Sequence, residues 1–426
     1  MYARNFLEVD NNILYARVDM AGELSGITAK EFPLYNYLIY LVSLVFGWQD
    51  WYGRLINLVI SSFGSYYFYL AIKKFFGEKY AFAATIILMA SIWFSYSRKI
   101  MPDTFSMSLA IAGLYFGITY LYSGGYTRLL LYMTLGTLGV LSKIPSVFIF
   151  VVLLIPFFNR NLLAGRKAWF FTASAILLGI NAIWYLYWVP EVVGTYGFVH
   201  YPERGFLEGA RQIIGDPGGA LYRFYWNGLN TYAALVAFVG GLIMAIIRKQ
   251  KEILVLFLLL FAVFFIFILK AGSSFIQHNY YMIPFAPVMA FVAGYFLSGL
   301  KWKWVYTLLL IAISAEGIAN QQHEFFIPKK ELYKMELESI ADSVSNRNDL
   351  VAISGGHNPQ QLYFAHRKGW ALNDEEIDEK SEVQEYMNRG AKYLFINKNS
   401  GIQNFDACSV VYEDEHYIVY ALTEKP

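Results

Sequence analysis

Five ionisable residues stand in five different connections before or between the apolar stretches: Glu31, Asp103, Lys143, His200 and His278. Ionisable side chains are costly in lipid, so each one near an apolar stretch needs a partner or a function. A carboxylate can accept a proton from a hydroxyl group, and a lysine can neutralise a phosphate. Groups of these types that converge on one face from distant parts of the chain are what a surface-facing active site requires.

Each of these residues also has a plainer interpretation. Asp103 and Glu31 both stand where a helix is predicted to begin, and a carboxylate there stabilises the positive end of the helix. The Tyr- and Gly-rich surroundings of His200 are typical of an ordinary loop, and His278 fits a membrane interface. Lys143 lies in a tight apolar hinge, and we expect its partner to be an anion, either a carboxylate or a phosphate.

The elements that position these residues are membrane segments. Charged residues make up only 15% of the chain, against roughly 25% in soluble domains, so lipid must solvate much of the surface. Segment 34–46 is too short to cross and predicts an interfacial helix. The segments predicted to cross or deeply enter the bilayer are 54–72, 80–97, 104–122, 128–142, 145–158, 168–188, 230–247, 252–270, 280–299 and 303–321.

Positive charges in the connections orient these segments, because Lys and Arg favour the cytoplasmic side. If 54–72 runs inward, the inward connections carry twelve Lys and Arg residues and the short outward ones carry four. This topology requires that segment 34–46 does not cross. It places loops 1–33 and 190–229, the C-terminal region and the five ionisable residues on the outer side.

The C-terminal region changes to a charged, mixed composition. Apolar runs at 350–353 and 392–396 predict buried strands, residues 375–389 predict an amphipathic helix, and 410–422 predicts a strand pair. The sequence therefore predicts an α-helical polytopic membrane protein of about ten spans. Residues 1–322 form the membrane domain, and residues 323–426 form a small α/β extracytoplasmic domain.

Several kinds of protein are excluded by composition and motifs. The net charge of +2 argues against a nucleic-acid partner, and the single Cys408 excludes an internal disulfide and a cysteine-based zinc site. The sequence holds no phosphate-cradling glycine loop, no HExxH motif and no nucleophile elbow. We expect no organic cofactor.

Read in order, short stretches of the first 300 residues resemble the GT-C membrane glycosyltransferases. The group that the sequence resembles comprises the dolichyl-phosphate-mannose protein mannosyltransferases and the lipid A aminoarabinose transferase. Each motif is weak alone, and their order and spacing carry the resemblance. The matching stretches are Tyr2–Glu8, Glu31–Tyr37, Phe46-Gly47, Arg54-Leu55, Ser97-Arg98, Pro102-Asp103, Leu141–Pro145, Tyr280-Tyr281, Pro284 and Pro287.

The resemblance implies a polyprenyl-phosphate sugar donor and inverting transfer to an acceptor hydroxyl on a lipid, glycan or protein. It implies an inner-membrane protein with Asp103 and Glu31 as catalytic carboxylates. A divalent metal, which could be Mg²⁺, Mn²⁺ or Zn²⁺, would be held by Glu31 and His200. The residues that the resemblance assigns to the donor phosphate are Lys143, Arg204 and Arg98. His278 is a further candidate for the site.

The sequence departs from the family pattern in two places. Relatives carry an Asp-Glu pair and one more span upstream of the stretch matching Tyr2–Glu8, so we expect the natural protein to begin further upstream. Some relatives have a phosphate-binding lysine where this chain has Phe32.

Two other functions stay open. An inactive degenerate transferase would explain the absent Asp-Glu pair. A transporter or lipid flippase would also be polytopic. Transporters, however, place ionisable residues near the bilayer midplane and often contain inverted repeats. Here the acids lie at the predicted outer ends, and the two halves show no repeat.

Overall fold

The computed structural model describes residues 1–197, 205–356, 358–378, 380–399 and 408–422. The α-helices are α1 Tyr2–Glu8, α2 Leu34–Phe46, α3 Tyr52–Phe76, α4 Glu78–Ala90, α5 Ile92–Tyr96, α6 Pro102–Ser123, α7 Tyr126–Ser142, α8 Leu154–Phe158, α9 Ala164–Ala182, α10 Val189–Tyr196, α11 Phe206–Gly215, α12 Pro217–Tyr222, α13 Tyr232–Ile247, α14 Lys251–Ala271, α15 Ser273–Gln277, α16 Ala286–Ser298, α17 Lys303–Gln321, α18 Leu337–Val344, α19 Gln360–Ala365, α20 Asp374–Asp378 and α21 Lys380–Asn388. Tighter 3₁₀ turns form Ile144–Leu153, Asn279–Met282, Gln322–Phe325 and Lys329–Glu336, and wider π turns form Ile183–Trp188 and Arg223–Asn227.

The chain divides into two compact units. One contains Glu31–Tyr187 and Tyr201–Phe325, and we call it the helical unit. The other contains Met1–Lys30, Trp188–His200 and Phe326–Pro426, and we call it the sheet unit.

Every segment predicted to enter the membrane coincides with a helical stretch. By length and composition alone, four described helical stretches could cross a bilayer: Tyr52–Phe76, Pro102–Ser123, Ala164–Tyr196 and Lys251–Ala271. Pro217–Asn227 and Tyr232–Ile247 would add a fifth span if they count as one, although they meet at a bend of 101°. The predicted helical membrane fold is confirmed, and the number of spans is only approximate.

Two shorter segments show how local sequence shapes the helical unit. The predicted interfacial helix matches α2 in its bounds. The predicted segment 80–97 is broken at Ser91, whose hydroxyl donates to the carbonyl of Leu88 at 2.6 Å. The same oxygen accepts from the backbone N–H of Trp93, which caps α5. A serine that bonds both flanking turns therefore divides this segment into α4 and α5.

Small residues bring the central helices of this unit close together. A Cβ added to Gly64 on α3 would lie 2.3 Å from the Cβ of Ser108 on α6, and one added to Gly139 on α7 would lie 2.9 Å from the backbone nitrogen of Ala110. Close backbone approach through small residues is typical of membrane helices. It makes α6 the central helix, packed between α3 and α7.

The sheet unit contains the predicted α/β fold. Its five strands are β1 Leu350–Ser354, β2 Gly369–Leu372, β3 Ala391–Asn397, β4 Ser409–Glu413 and β5 Tyr417–Ala421. They lie in the order β2-β1-β3-β5-β4. β1 is parallel to β2 and β3, whereas β5 is antiparallel to β3 and β4. The two apolar runs and the strand pair predicted from the sequence are confirmed, and β2 is an additional strand.

The N-terminal residues of the sheet unit pack beside β2. The backbone N–H of Gly369 donates to the carbonyl of Asp19 at 3.0 Å, and that of Gly22 donates to the carbonyl of Gly369 at 2.9 Å. The Arg4 guanidinium lies 3.1 Å from the Asp19 carboxylate, and both side chains are buried. Residues 1–30, predicted as an outer loop of the membrane domain, are thus grouped with the C-terminal strands.

Candidate functional site

Lys143 is positioned by the junction between α7 and the 3₁₀ turn that follows. Its backbone is extended, and Pro145 stands at the start of the next turn. The hydroxyl of Ser106 on α6 donates to the carbonyl of Gly139 at 2.7 Å and lies 3.2 Å from that of Lys143. The hinge seen in the sequence is therefore fastened to α6 at the place where the lysine emerges.

Asp103 is positioned by the start of α6. Met101 is extended, as expected before a proline, and Pro102 takes the first helical position. Asp103 stands in the first turn, where a carboxylate meets unpaired backbone N–H groups. Its residue surface is only 5% exposed.

Glu31 is positioned by a contact between the chain before α2 and the end of α7. The backbone N–H of Phe32 donates to the carbonyl of Leu141 at 2.9 Å. The Phe32 ring packs edge-on against Trp184 with centroids 4.9 Å apart. The Tyr185 hydroxyl donates to the same Leu141 carbonyl at 2.9 Å. These bonds fasten the chain beside Glu31 to Leu141, which lies two residues before Lys143.

The three side chains converge. The Nζ atom of Lys143 lies 3.0 Å from Oδ1 of Asp103 and 3.9 Å from Oε1 of Glu31. The Asp103 side chain is 4% exposed and that of Lys143 is 19% exposed. An ion pair this buried must be well formed, because unpaired buried charges are strongly destabilising. Residues far apart in sequence thus form one charged cluster, which we call the Lys143 cluster.

An aromatic stack borders the Lys143 cluster. The ammonium lies 5.1 Å from the ring centroid of Tyr280, within reach of a cation–π interaction. Tyr280 stacks on Tyr281 at 4.9 Å and on His278 at 5.1 Å. His278 also stacks on Tyr281, with ring centroids 6.4 Å apart. Tyr280 was not predicted as a site residue, although a tyrosine pair ahead of Pro284 was a usable signal.

A narrow cleft opens beside the Lys143 cluster. The Oδ2 atom of Asp103 and the hydroxyl of Ser146 are buried and make no hydrogen bond within the part of the chain that the structure describes. Buried polar atoms without a partner are uncommon and call for an explanation. The Oδ2 atom of Asp103 is thus a carboxylate oxygen that can accept a proton from a bound hydroxyl. The cleft is lined by Asp103, Ser106, Met107, Lys143, Pro145, Ser146, Phe267, Tyr280, Tyr281 and Pro284.

Arg98 occupies a different environment. Its guanidinium lies 4.2 Å from the ring centroid of Phe94 and 3.9 Å from that of Phe325. Its Nε donates to the carbonyl of Phe94 at 3.0 Å. Lys99 beside it pairs with Glu324 at 2.9 Å. Arg98 is thus held between two phenyl rings, and none of these contacts is with the Lys143 cluster.

His200 and Arg204 lie outside the described residues. Among the residues that the structure does describe, no three His, Cys, Asp or Glu side chains come together as a metal site. Glu31 is therefore the one predicted metal ligand whose surroundings are known, and the nearest cation to it in the cluster is the Lys143 ammonium, 3.9 Å away.

Comparison with known proteins gives one sequence match and several structural ones. Residues 30–188 match the profile of the dolichyl-phosphate-mannose-protein mannosyltransferase family. This range contains Glu31, Asp103 and Lys143. No curated protein sequence matches the chain.

Solved structures match over nearly the whole chain. ArnT from Cupriavidus metallidurans, solved with bound undecaprenyl phosphate, is 12% identical and aligns with a TM-score of 0.59 over 99% of this chain and 92% of its own. The oligosaccharyltransferase AglB from Archaeoglobus fulgidus, solved with an inhibitory peptide and a dolichol-phosphate, is 15% identical. It aligns with a TM-score of 0.60 over 93% of this chain and 64% of its own.

A second structure of the Archaeoglobus fulgidus oligosaccharyltransferase, in complex with Zn and sulfate, aligns with a TM-score of 0.55. It is 12% identical and covers 93% of this chain and 63% of its own. At such identities the alignments establish the fold. The resemblance inferred from the sequence is confirmed: this chain is an integral membrane protein with the GT-C fold of lipid-dependent glycosyltransferases.

Proposed function

We propose that this protein transfers a sugar from a polyprenyl-phosphate donor to a hydroxyl group of a lipid, glycan or protein, with inversion at the anomeric carbon. The observation that carries the proposal is the position of the Lys143 ammonium between the carboxylates of Asp103 and Glu31. A cation for a leaving phosphate and a carboxylate for the acceptor proton are the two groups that this reaction needs.

These groups account for the bonds, the charge and the proton of the proposed transfer. The acceptor oxygen attacks the anomeric carbon, and the bond from that carbon to the phosphate oxygen breaks. Both electrons of that bond leave with the polyprenyl phosphate, whose charge the Lys143 ammonium neutralises. The acceptor proton passes to a carboxylate. The buried Oδ2 of Asp103 suits this role because it accepts no hydrogen bond from the described residues.

The donor class is supported by relatives and by chemistry. ArnT was solved with undecaprenyl phosphate and AglB with a dolichol-phosphate, so both share a lipid phosphate. In this chain, Lys143 supplies a cation beside an aromatic stack. The helical unit to which it belongs has many exposed apolar side chains. Such surroundings suit a ligand with a charged head and a long apolar tail.

The remaining predicted roles stay proposals. Glu31 would orient the acceptor or share a divalent metal with His200, and Arg204 would add a second charge at the phosphate. Arg98 would have to leave its two phenyl rings to reach a ligand, so we assign the phosphate first to Lys143. His278 would support the Tyr280 ring on which the donor rests.

The proposed face of the membrane follows from charge. The outward connections carry few Lys and Arg residues, and the positive-inside rule places them away from the cytoplasm. We therefore propose that the Lys143 cluster faces the outer side of an inner membrane, together with the C-terminal domain.

The test is made in cells, by replacing the natural gene with single-residue variants at its own locus. Mass spectrometry of surface glycans, glycolipids and glycoproteins first identifies the sugar that is lost when the gene is deleted. Asp103→Asn and Glu31→Gln should each lower that product by about 10²-fold or more, as expected for loss of a general base or a positioned carboxylate.

Glu78→Gln is the matched control. Glu78 begins α4, pairs with Lys73 at 3.3 Å, and has a side chain that is 71% exposed. Its removal should leave the product unchanged. A normal product in both site variants, with the deletion strain lacking it, would refute the proposed site. A deletion strain with an unaltered glycan profile would refute the proposed function itself.

A further inference from the structure

We infer that Asn57 is a positioning residue for the transfer reaction, because its side chain holds the turn from which Asp103 emerges. The inference rests on the proposed role of Asp103. Asn57 lies on α3 and is fully buried. Four of its five side-chain hydrogen bonds go to a separate segment, residues 96–104, on which Asp103 stands.

The segment needs such an anchor because two helices meet there without a shared hydrogen-bond ladder. α5 ends at Tyr96 and α6 begins at Pro102. Carbonyls at the end of a helix have no intrahelical donor, and Pro102 has no N–H to offer them. The side of the turn that meets Asn57 is closed to bulk water, because Asn57 is fully buried in the protein.

The Asn57 side-chain amide donates to three carbonyls of this turn, of which that of Tyr96 also accepts from the backbone N–H of Lys99 at 3.2 Å and lies 3.1 Å from the hydroxyl of Thr104. Its Nδ2 atom lies 2.9 Å from the carbonyl oxygen of Tyr96, 2.8 Å from that of Lys99 and 3.2 Å from that of Met101. The amide has two hydrogens for three acceptors, so one hydrogen is shared. One side chain thus satisfies three carbonyls of a single turn.

The other side of the Asn57 amide fixes the residue that follows Asp103. Its Oδ1 atom lies 3.0 Å from the hydroxyl of Thr104 and 3.1 Å from that of Ser61, and both hydroxyls can donate to it. The amide orientation is determined, because a flipped amide would set its oxygen against three carbonyl oxygens. Asn57 therefore binds the chain on both sides of Asp103.

This anchoring bears on catalysis through distance. Asp103 lies 3.0 Å from the Lys143 ammonium and lines the cleft. A displacement of about 1 Å at a catalytic group can cost roughly 10²-fold in rate. A fully satisfied buried network is what gives a loop this rigidity. Asn57 acts through Asp103 and does not itself face the cleft.

The test compares Asn57 with a second buried asparagine. Among the described residues, Asn181 on α9 donates to the carbonyl of Leu177 in its own helix, at 2.8 Å, and it is also buried. The variants are Asn57→Leu and Asn57→Asp, with Asn181→Leu and Asn181→Asp as controls. At each position, Leu removes the buried amide and Asp replaces it by a carboxyl group. Only the Asn57 variants touch the turn before Asp103.

Three measurements are made on each full-length variant. Hydrogen exchange of residues 96–104 is followed in the purified protein by mass spectrometry. Binding of undecaprenyl phosphate is measured on the same sample. The glycan that the deletion strain lacks is quantified in cells, relative to folded protein.

For Asn57→Leu we expect exchange in 96–104 to rise at least 10-fold and the product to fall by about 10- to 100-fold. Lipid phosphate binding should change less than about threefold, because Lys143 stays in place. The Asn181 variants should leave all three readouts near wild type. If Asn57→Leu does not fold, Thr104→Val serves instead, since it removes one bond of the network, and the product should fall about fivefold.

Two outcomes would overturn the inference. Unchanged exchange in 96–104 would show that Asn57 does not hold the turn. Faster exchange with undiminished product would show that the anchor does not matter for transfer. A deletion strain that loses no glycan would instead refute the proposed function and the catalytic role with it, while the exchange result would still decide whether Asn57 anchors the turn.

Discussion

Replacing Lys143 by Met should separate the structural role of the Lys143 cluster from its chemical one. The substitution keeps side-chain length and removes the charge that lies 3.0 Å from Asp103. At that distance, two unit charges attract by about 5 kcal/mol at an effective dielectric constant near 20. Breaking a buried pair by removing one partner typically costs about 3–5 kcal/mol. We expect Lys143→Met to lose stability in this range.

A double variant makes this expectation sharper. Asp103→Asn combined with Lys143→Met removes both charges of the most buried pair and leaves only the half-buried Glu31 carboxylate, and replacing both partners of a buried ion pair is often neutral. Thermal unfolding in detergent should therefore show a large loss for Lys143→Met and recovery in the double variant. The transferred product should behave differently: it should fall by about 10²–10³-fold in Lys143→Met and stay low in the double variant.

Lys79→Met is the matched control for this series. Lys79 lies near the start of α4, far along the chain from the Lys143 cluster, and donates to the carbonyls of Ser298 and Leu300 at 2.9 and 2.8 Å. Its loss should change neither product nor lipid phosphate binding. If Lys143→Met unfolded at the wild-type temperature, the expected loss of stability would be refuted. If it still bound undecaprenyl phosphate and formed product at the wild-type level, the proposed role of Lys143 at the phosphate would be refuted.

Three further predictions concern the two units. Burial favours the neutral form of Asp414, but two backbone N–H groups of the β4–β5 turn outweigh it and hold the pKa of this carboxyl below its usual range. Asp414→Ala should cost about 1–2 kcal/mol of unfolding free energy at neutral pH. This deficit should vanish as the pH falls below about 4 and through the lowered pKa of Asp414. A constant deficit down to about pH 2 would contradict the prediction. Gly369→Ala would set a Cβ 1.7 Å from the carbonyl oxygen of Val351, so limited proteolysis should cut the sheet unit while sparing wild type. Gly64→Val should lower the unfolding temperature through its clash with Ser108 on α6, and an unchanged temperature would show that these helices can separate freely.

Much of the helical unit could be predicted from sequence because hydrophobic length is a local property. The bounds of α2 and the position of α6 follow from runs of apolar residues ended by Gly or preceded by Pro. The meeting of Glu31, Asp103 and Lys143 was also predictable, because the positive-inside rule places them on one face. The same rule places Arg98 on this face, yet its guanidinium packs between two phenyl rings. This packing could not be predicted, because topology gives the side of the membrane and not the direction of a side chain.

Long-range hydrogen bonds could not be predicted. The pairing of residues 19–22 with Gly369 joins segments about 350 residues apart, and no local pattern encodes it. Asn57 was missed for a related reason: its three acceptors are backbone carbonyls, which have no signature in the sequence. An asparagine inside a predicted membrane segment was the one available signal.

The strand order of the sheet unit has a consequence for how this part of the protein meets other chains. At one end, Met20 pairs with Gly369 and covers part of the β2 edge. At the other end, β4 pairs on one side only among the described strands, and Val410 and Val411 on it are exposed. Unpaired edges invite addition of a foreign strand, and an irregular register opposes it. The shift between Val410 and Tyr412 therefore makes β4 a poor template for a foreign strand.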